Sequence, residues 1–132
     1  PEELTTFFFS DYGLNFPEDG IYCTETTYKN DPELCAGIFQ ATKKGWKYAF
    51  EHPDETLEIV AKYQKDHPLT NKNKIHQRWM LNRMKDIIML DTVPFGELSE
   101  KDYQLVGKTL QEAGLIKMIP AFNDINKNVY NY

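Results

Sequence analysis

Two proline signals constrain this chain more than anything else in it: Asp31-Pro32-Glu33 and His52-Pro53-Asp54-Glu55, whose prolines stand twenty-one positions apart. In the first, Asp31 is a good cap and Pro32 suits the first helical position, where a missing N–H costs nothing. Glu33 then sits near the positive end of the helix dipole. The second signal closes one helix and opens the next, because Pro53 pushes His52 out of the right-handed helical region. Between them Leu34, Ile38, Ala41, Gly45 and Ala49 recur at helical spacing, flanked by Phe39, Trp46 and Phe50. A segment punctuated this way is a helix and not part of a sheet.

The same reading continues along the chain. A second helix starts at Pro53, carries Leu57, Val60, Ala61 and Tyr63 on its inner face, and ends before Pro68. A third runs from about Asn71 to Leu90, with Ile75, Trp79, Met80, Met84, Ile87 and Ile88 as its apolar stripe. Lys72, Lys74, Arg78, Arg83 and Lys85 face outward. Asp91 to Gly96, with Pro94, is a loop. Ser99-Glu100-Lys101-Asp102 resembles a capping box with Asp in place of Glu, and Tyr103, Val106, Leu110 and Ala113 follow it. Gly114 stands where a left-handed cap belongs.

The first 28 residues read differently. Leu4 to Phe9 is β-branched and aromatic, and Ile21 to Thr24 is a second short strand candidate beyond the turn chemistry of Pro17-Glu18-Asp19-Gly20. Phe7, Phe8 and Phe9 are aromatic on both faces of such a strand, so a partner segment is expected to cover it. The fold class expected is α+β and predominantly helical, with four helices after a short β segment. Residues 1–132 are taken as one unit, made of a β-rich segment 1–28, a helical part 29–116 and an irregular tail 117–132 that holds at most a short turn.

Composition narrows the function. Fifteen Lys and Arg against twenty Asp and Glu leave a net charge of −5, which argues against a nucleic-acid partner and against a membrane-surface role. No run approaches the ~20 apolar residues of a membrane helix. Opening at Pro1 with neither Met nor a basic-then-apolar leader, the sequence reads as a mature secreted protein or a piece of a longer chain. There is no Gly-rich phosphate loop and no G-x-S-x-G elbow, and no enzyme activity is expected. Cys23 and Cys35 could close a small disulfide loop or be two small buried thiols. No metal site and no cofactor are expected, since His52, His67 and His76 have no ligand-like spacing to either cysteine. Glu51, Asp54, Glu55 and Glu58 read as caps and a solvated face, Trp46 and Trp79 as core, and His76 as a surface histidine.

Ser10, Asp11 and Tyr12 are the candidate ligand-binding residues. They place a hydroxyl, a carboxylate and a phenol beside Gly13 at the end of the β segment, where α/β proteins gather polar groups around small ligands. Asp-Tyr-Gly is also ordinary turn material.

The order Asp11-Tyr12-Gly13-Leu14-Asn15-Phe16-Pro17-Glu18-Asp19-Gly20-Ile21-Tyr22, then Asn30 to Leu34, Ala41 to Ala49 and His52 to Glu55, resembles one family. It is similar to the substrate-binding components of ABC importers for nitrate, sulfonate, taurine and thiamine pyrimidine precursors, and His76 to Leu81 resembles the pyrimidine-precursor branch. The resemblance spans residues 8 to about 116. It implies the carboxy-terminal half of a two-lobed type II periplasmic-binding fold, with an amino-terminal half and most of both sheets missing.

The function implied by the resemblance is non-catalytic binding of a small solute, thiamine pyrimidine precursor-like or a related polar molecule, for ABC import or extracytoplasmic sensing. Its implied partners are the solute and an ABC permease or a sensor kinase. Its implied location is periplasmic or extracytoplasmic, with a membrane tether in the missing part as one option. In such folds the ligand bridges two lobes and shifts an open–closed equilibrium. A related fungal enzyme forms the thiamine pyrimidine with a cysteine cluster and a histidine motif; neither is present in this chain. The alternative is a small helical protein-interaction domain that forms a homodimer through its amino-terminal segment.

Overall fold

A computed structural model describes residues 5–64, 73–88 and 94–127. Regular structure among them is helical throughout. A 3₁₀ turn, Phe9–Tyr12, is followed by α1 (Glu25–Asn30), α2 (Pro32–Glu51), α3 (Pro53–Gln64), α4 (Lys74–Ile88), α5 (Glu100–Glu112) and α6 (Phe122–Ile125). No helix among the described residues is long and apolar enough to cross a membrane.

The four expected helices are present as α2 to α5. The expected β segment is not, and both of its candidate strands need correction. Leu4 lies outside the described residues. Phe8 is extended, but from Phe9 the chain winds into the 3₁₀ turn, closed by Gly13 at φ 75°. Asp11 N–H donates to the Phe8 carbonyl and Gly13 N–H to the Ser10 carbonyl, each at 3.0 Å. Local bonds of this kind win where no second strand is at hand to fill a ladder. Ile21 to Thr24 likewise form no strand, because Thr24 caps α1. Its Oγ1 accepts from Thr27 N–H at 3.1 Å, and Glu25 pairs with Lys29 one turn on at 2.6 Å. The tail holds α6; residues 128–132 lie outside the described residues.

Asp31 joins α1 to α2. Its N–H donates to the Thr27 carbonyl at 2.9 Å, and its Oδ1 accepts from Leu34 N–H at 2.9 Å. Asp31→Ala is expected to cost about 1 kcal/mol through the lost cap. Urea unfolding checks this as a lower midpoint with an unchanged slope.

Contacts divide the chain into two compact units. In the unit Ile21–Glu97, α2 packs against α1, α3 and α4. Its core centres on Ala36, Phe39 and Leu57, the buried apolar side chains among the described residues. The Phe39 ring meets Phe95 at 5.8 Å, where the Pro94–Glu97 turn brings the chain round through Gly96 at φ 76°.

The inward faces differ from those read off the sequence. Of the expected stripe on α2, Ala49 is half-buried, but Leu34, Ile38, Ala41 and Gly45 are exposed, and Ala36, Phe39, Trp46 and Phe50 turn inward. On α3, Ala61 and Tyr63 face solvent. On α4, Ile75, Trp79, Met80 and Ile87 are exposed, while Gln77, Leu81, Met84 and Ile88 are half-buried. Each helix carries more apolar residues than its neighbours can cover, so periodicity alone admits more than one face.

The second unit holds, among the described residues, 98–127 with the segment up to Gly20. Ser99 caps α5 as expected, its Oγ accepting from Asp102 N–H at 3.1 Å. Gly107 is buried where Ile119 crosses α5. Tyr103 Oη donates to the Pro120 carbonyl at 2.9 Å, and its ring meets Phe122 at 5.4 Å. Gly114 is left-handed at φ 71°, as its place after the helix predicts.

Candidate functional site

Ser10, Asp11 and Tyr12 come together on the one 3₁₀ turn Phe9–Tyr12. All three are exposed. The turn's backbone is satisfied internally, with Leu14 N–H donating to the Phe9 carbonyl at 3.0 Å, so the three side chains stand on a closed, self-supporting loop. A carboxylate accepts up to four hydrogen bonds and a phenol both donates and accepts. The turn therefore exposes a hydroxyl, a carboxylate and a phenol side by side.

A different feature lies within the unit Ile21–Glu97. Helices α2, α3 and α4 flank an open groove of about 390 Å³. Its walls are mostly apolar, with Trp46, Leu57, Met80 and Met84 among them, and Thr42, Thr56 and Gln77 supply polar groups. The Thr42 hydroxyl donates to the Ile38 carbonyl at 2.8 Å and the Thr56 hydroxyl to the Ala49 carbonyl at 3.4 Å. Trp46 belongs to this wall and stacks on Phe50 at 5.4 Å. Trp79, expected in the core, is 56% exposed and stacks on His76 at 5.9 Å. The sequence did hold a signal for the groove: Thr42, Trp46 and Ala49 share one helical face. That signal is masked because the competing face of Leu34, Ile38 and Ala41 is more apolar.

The acidic residues at the α2–α3 boundary are each engaged from the surface. Glu51 pairs with Lys47 at 3.9 Å, and Asp54 forms an ion pair with Arg78 across to α4. Glu55 accepts from Tyr48 Oη at 2.7 Å. That bond holds the Tyr48 phenol above its ordinary range, because ionising it would give up the hydrogen it donates to Glu55. All three acids, like Glu58, are exposed, as expected of a solvated face.

Cys23 and Cys35 are free thiols whose sulfurs lie 3.9 Å apart. Cys23 is exposed and Cys35 half-buried in the first turn of α2. Burial pushes the Cys35 thiol up first, and the hydrogen bond with Cys23 adds to this. Among the described residues no group of three or more His, Cys, Asp or Glu side chains could hold a metal ion.

Comparison with known proteins bears on the amino-terminal part of the chain. Residues 1–56, fewer than half of the 132, match the family model NMT1/THI5 like. The matched stretch contains the Ser10–Tyr12 turn, both cysteines and the whole of α2. No curated protein and no solved structure matches the chain. At a coarse level, the match supports a substrate-binding family for this chain.

Proposed function

We propose that the protein binds a small solute without catalysis, a thiamine pyrimidine precursor or a related small polar molecule, for ABC import or extracytoplasmic sensing. The family match over residues 1–56 carries this reading. The solute is handed to an ABC permease or read out by a sensor kinase, outside the cytoplasm. The chain is the rear part of a clamshell, and Ser10, Asp11 and Tyr12 line its cleft side. Asp11 accepts from ligand N–H groups, Tyr12 stacks on the ligand or hydrogen-bonds it, and Ser10 supports both.

Asp11→Ala and Tyr12→Ala are each expected to weaken binding of the thiamine pyrimidine precursor roughly tenfold or more, the size of a lost charge-assisted hydrogen bond or stacked ring. The melting temperature should stay within about 1–2 °C, because both side chains are exposed. Calorimetric titration checks the pair, and unchanged affinity in both variants would remove these residues from the site.

One observation favours a second reading. Phe7, Phe8 and Phe9 are 71%, 62% and 75% exposed, an apolar cluster of the kind that marks interaction surfaces. On that reading the chain is a small helical interaction domain that dimerises through its amino-terminal segment. Light scattering after size exclusion separates the two: a dimer that dissociates on Phe7→Ser with Phe9→Ser supports the second.

A further inference from the structure

We propose that Cys23 and Cys35 form a reversible intramolecular disulfide that pins the segment before α1 to the first turn of α2. The pair is twelve positions apart in sequence, yet its sulfurs lie 3.9 Å apart with α1 folded between them. A disulfide needs its sulfurs at about 2.05 Å, so closure asks for about 2 Å of further approach. The partner outside any helix can supply it. Cys23 lies in the irregular stretch that leads to Thr24, whereas Cys35 is held in a helix.

The two thiols differ in a way that orders the chemistry. Cys23 is exposed, so it meets an oxidant first; Cys35 is half-buried, and burial keeps its proton on. The oxidant is a disulfide, either a small molecule or a dithiol–disulfide protein. The Cys23 thiolate attacks one sulfur of that disulfide, forming a mixed disulfide and releasing one thiol. The Cys35 sulfur then attacks the Cys23 sulfur and expels the second thiol. Two protein thiols and one disulfide become one protein disulfide and two thiols, so atoms and electrons balance. Closing this loop removes freedom from the unfolded chain. The proposal does not rest on the solute-binding reading; it stands on the geometry of the pair.

Equilibrating the protein with glutathione disulfide tests it. Intact mass should fall by two hydrogens, titratable thiols should drop from two to none, and the chain should stay monomeric on a non-reducing gel. The melting temperature should rise by about 5 °C or more and return on reduction. Cys35→Ser should instead trap one glutathione adduct at Cys23. Two thiols that persist in wild-type protein, stable adducts on both cysteines, or bridges formed only between chains would each overturn the proposal. These readouts concern the thiols alone, so their outcome is independent of whether solute binds.

Discussion

Phe39→Ala is expected to cost the unit Ile21–Glu97 about 3–5 kcal/mol. The reason is the thinness of the core. Among the described residues the buried apolar side chains are Ala36, Phe39 and Leu57, and Phe39 is by far the largest of them. Its ring faces Phe95 at 5.8 Å, and a side chain added at Gly96 would place its Cβ 2.9 Å from the Phe39 Cε2. Removing the ring leaves a cavity between α2 and the Pro94–Glu97 turn, with little surrounding core to collapse into it. Against a typical stability of about 5–15 kcal/mol, such a loss consumes a large share. Urea unfolding followed by far-ultraviolet circular dichroism reads it directly. A loss under about 1 kcal/mol would mean that the ring is not packed as described. Gly96→Ala should also destabilise, since it adds a Cβ against this ring at a φ of 76° that an L residue resists.

The second large effect lies in the other unit. Gly107 is in the middle of α5, where glycine ordinarily weakens a helix by about 1 kcal/mol relative to alanine. Propensity alone therefore predicts that Gly107→Ala stabilises. The packing predicts the opposite sign. A Cβ at position 107 would sit 2.7 Å from Ile119 Cγ2 and 3.2 Å from both its Cγ1 and Cδ1. Overpacking of this kind costs about 1–3 kcal/mol and outweighs the propensity gain. The expected net result is a loss of up to about 2 kcal/mol, read as a lower thermal midpoint. Combined with Ile119→Ala, which frees the contested space, the alanine at 107 should become neutral or favourable. That reversal is the mark of direct contact in a double-mutant cycle. A stabilised single variant would show that Ile119 does not approach α5 so closely.

Short-range features are readable in the sequence because they are settled within a few residues. Asp31 with Pro32, Ser99 with Asp102, Pro53 after His52 and Gly114 after α5 each act through bonds three or four positions away, and each is found where expected. The mismatches have a common cause too. Phe7 to Phe9 and Ile21 to Thr24 have strand-like side chains, but a strand exists only with a neighbour to bond. Without one, the 3₁₀ turn and the Thr24 cap satisfy those backbone groups locally. The helix α1 is signalled by Thr24, Glu25 and Lys29, a cap and an ion pair hidden beneath a β-like composition.

The candidate site divides along the same line. That Ser10, Asp11 and Tyr12 share one short turn follows from their adjacency and from Gly13. That Trp46 and Met84 face a common groove, or that Cys23 and Cys35 come within 3.9 Å, depends on how helices pack once formed.

From the residues alone come the starts of α2, α3 and α5 and the stops of α2 and α5, since capping and proline chemistry are local and admit few alternatives. Packing alone determined which stripe of each helix is buried. Leu34, Ile38 and Ile75 are as apolar as the side chains that won, and hydrophobic burial has no direction of its own until a neighbouring surface is present to receive it.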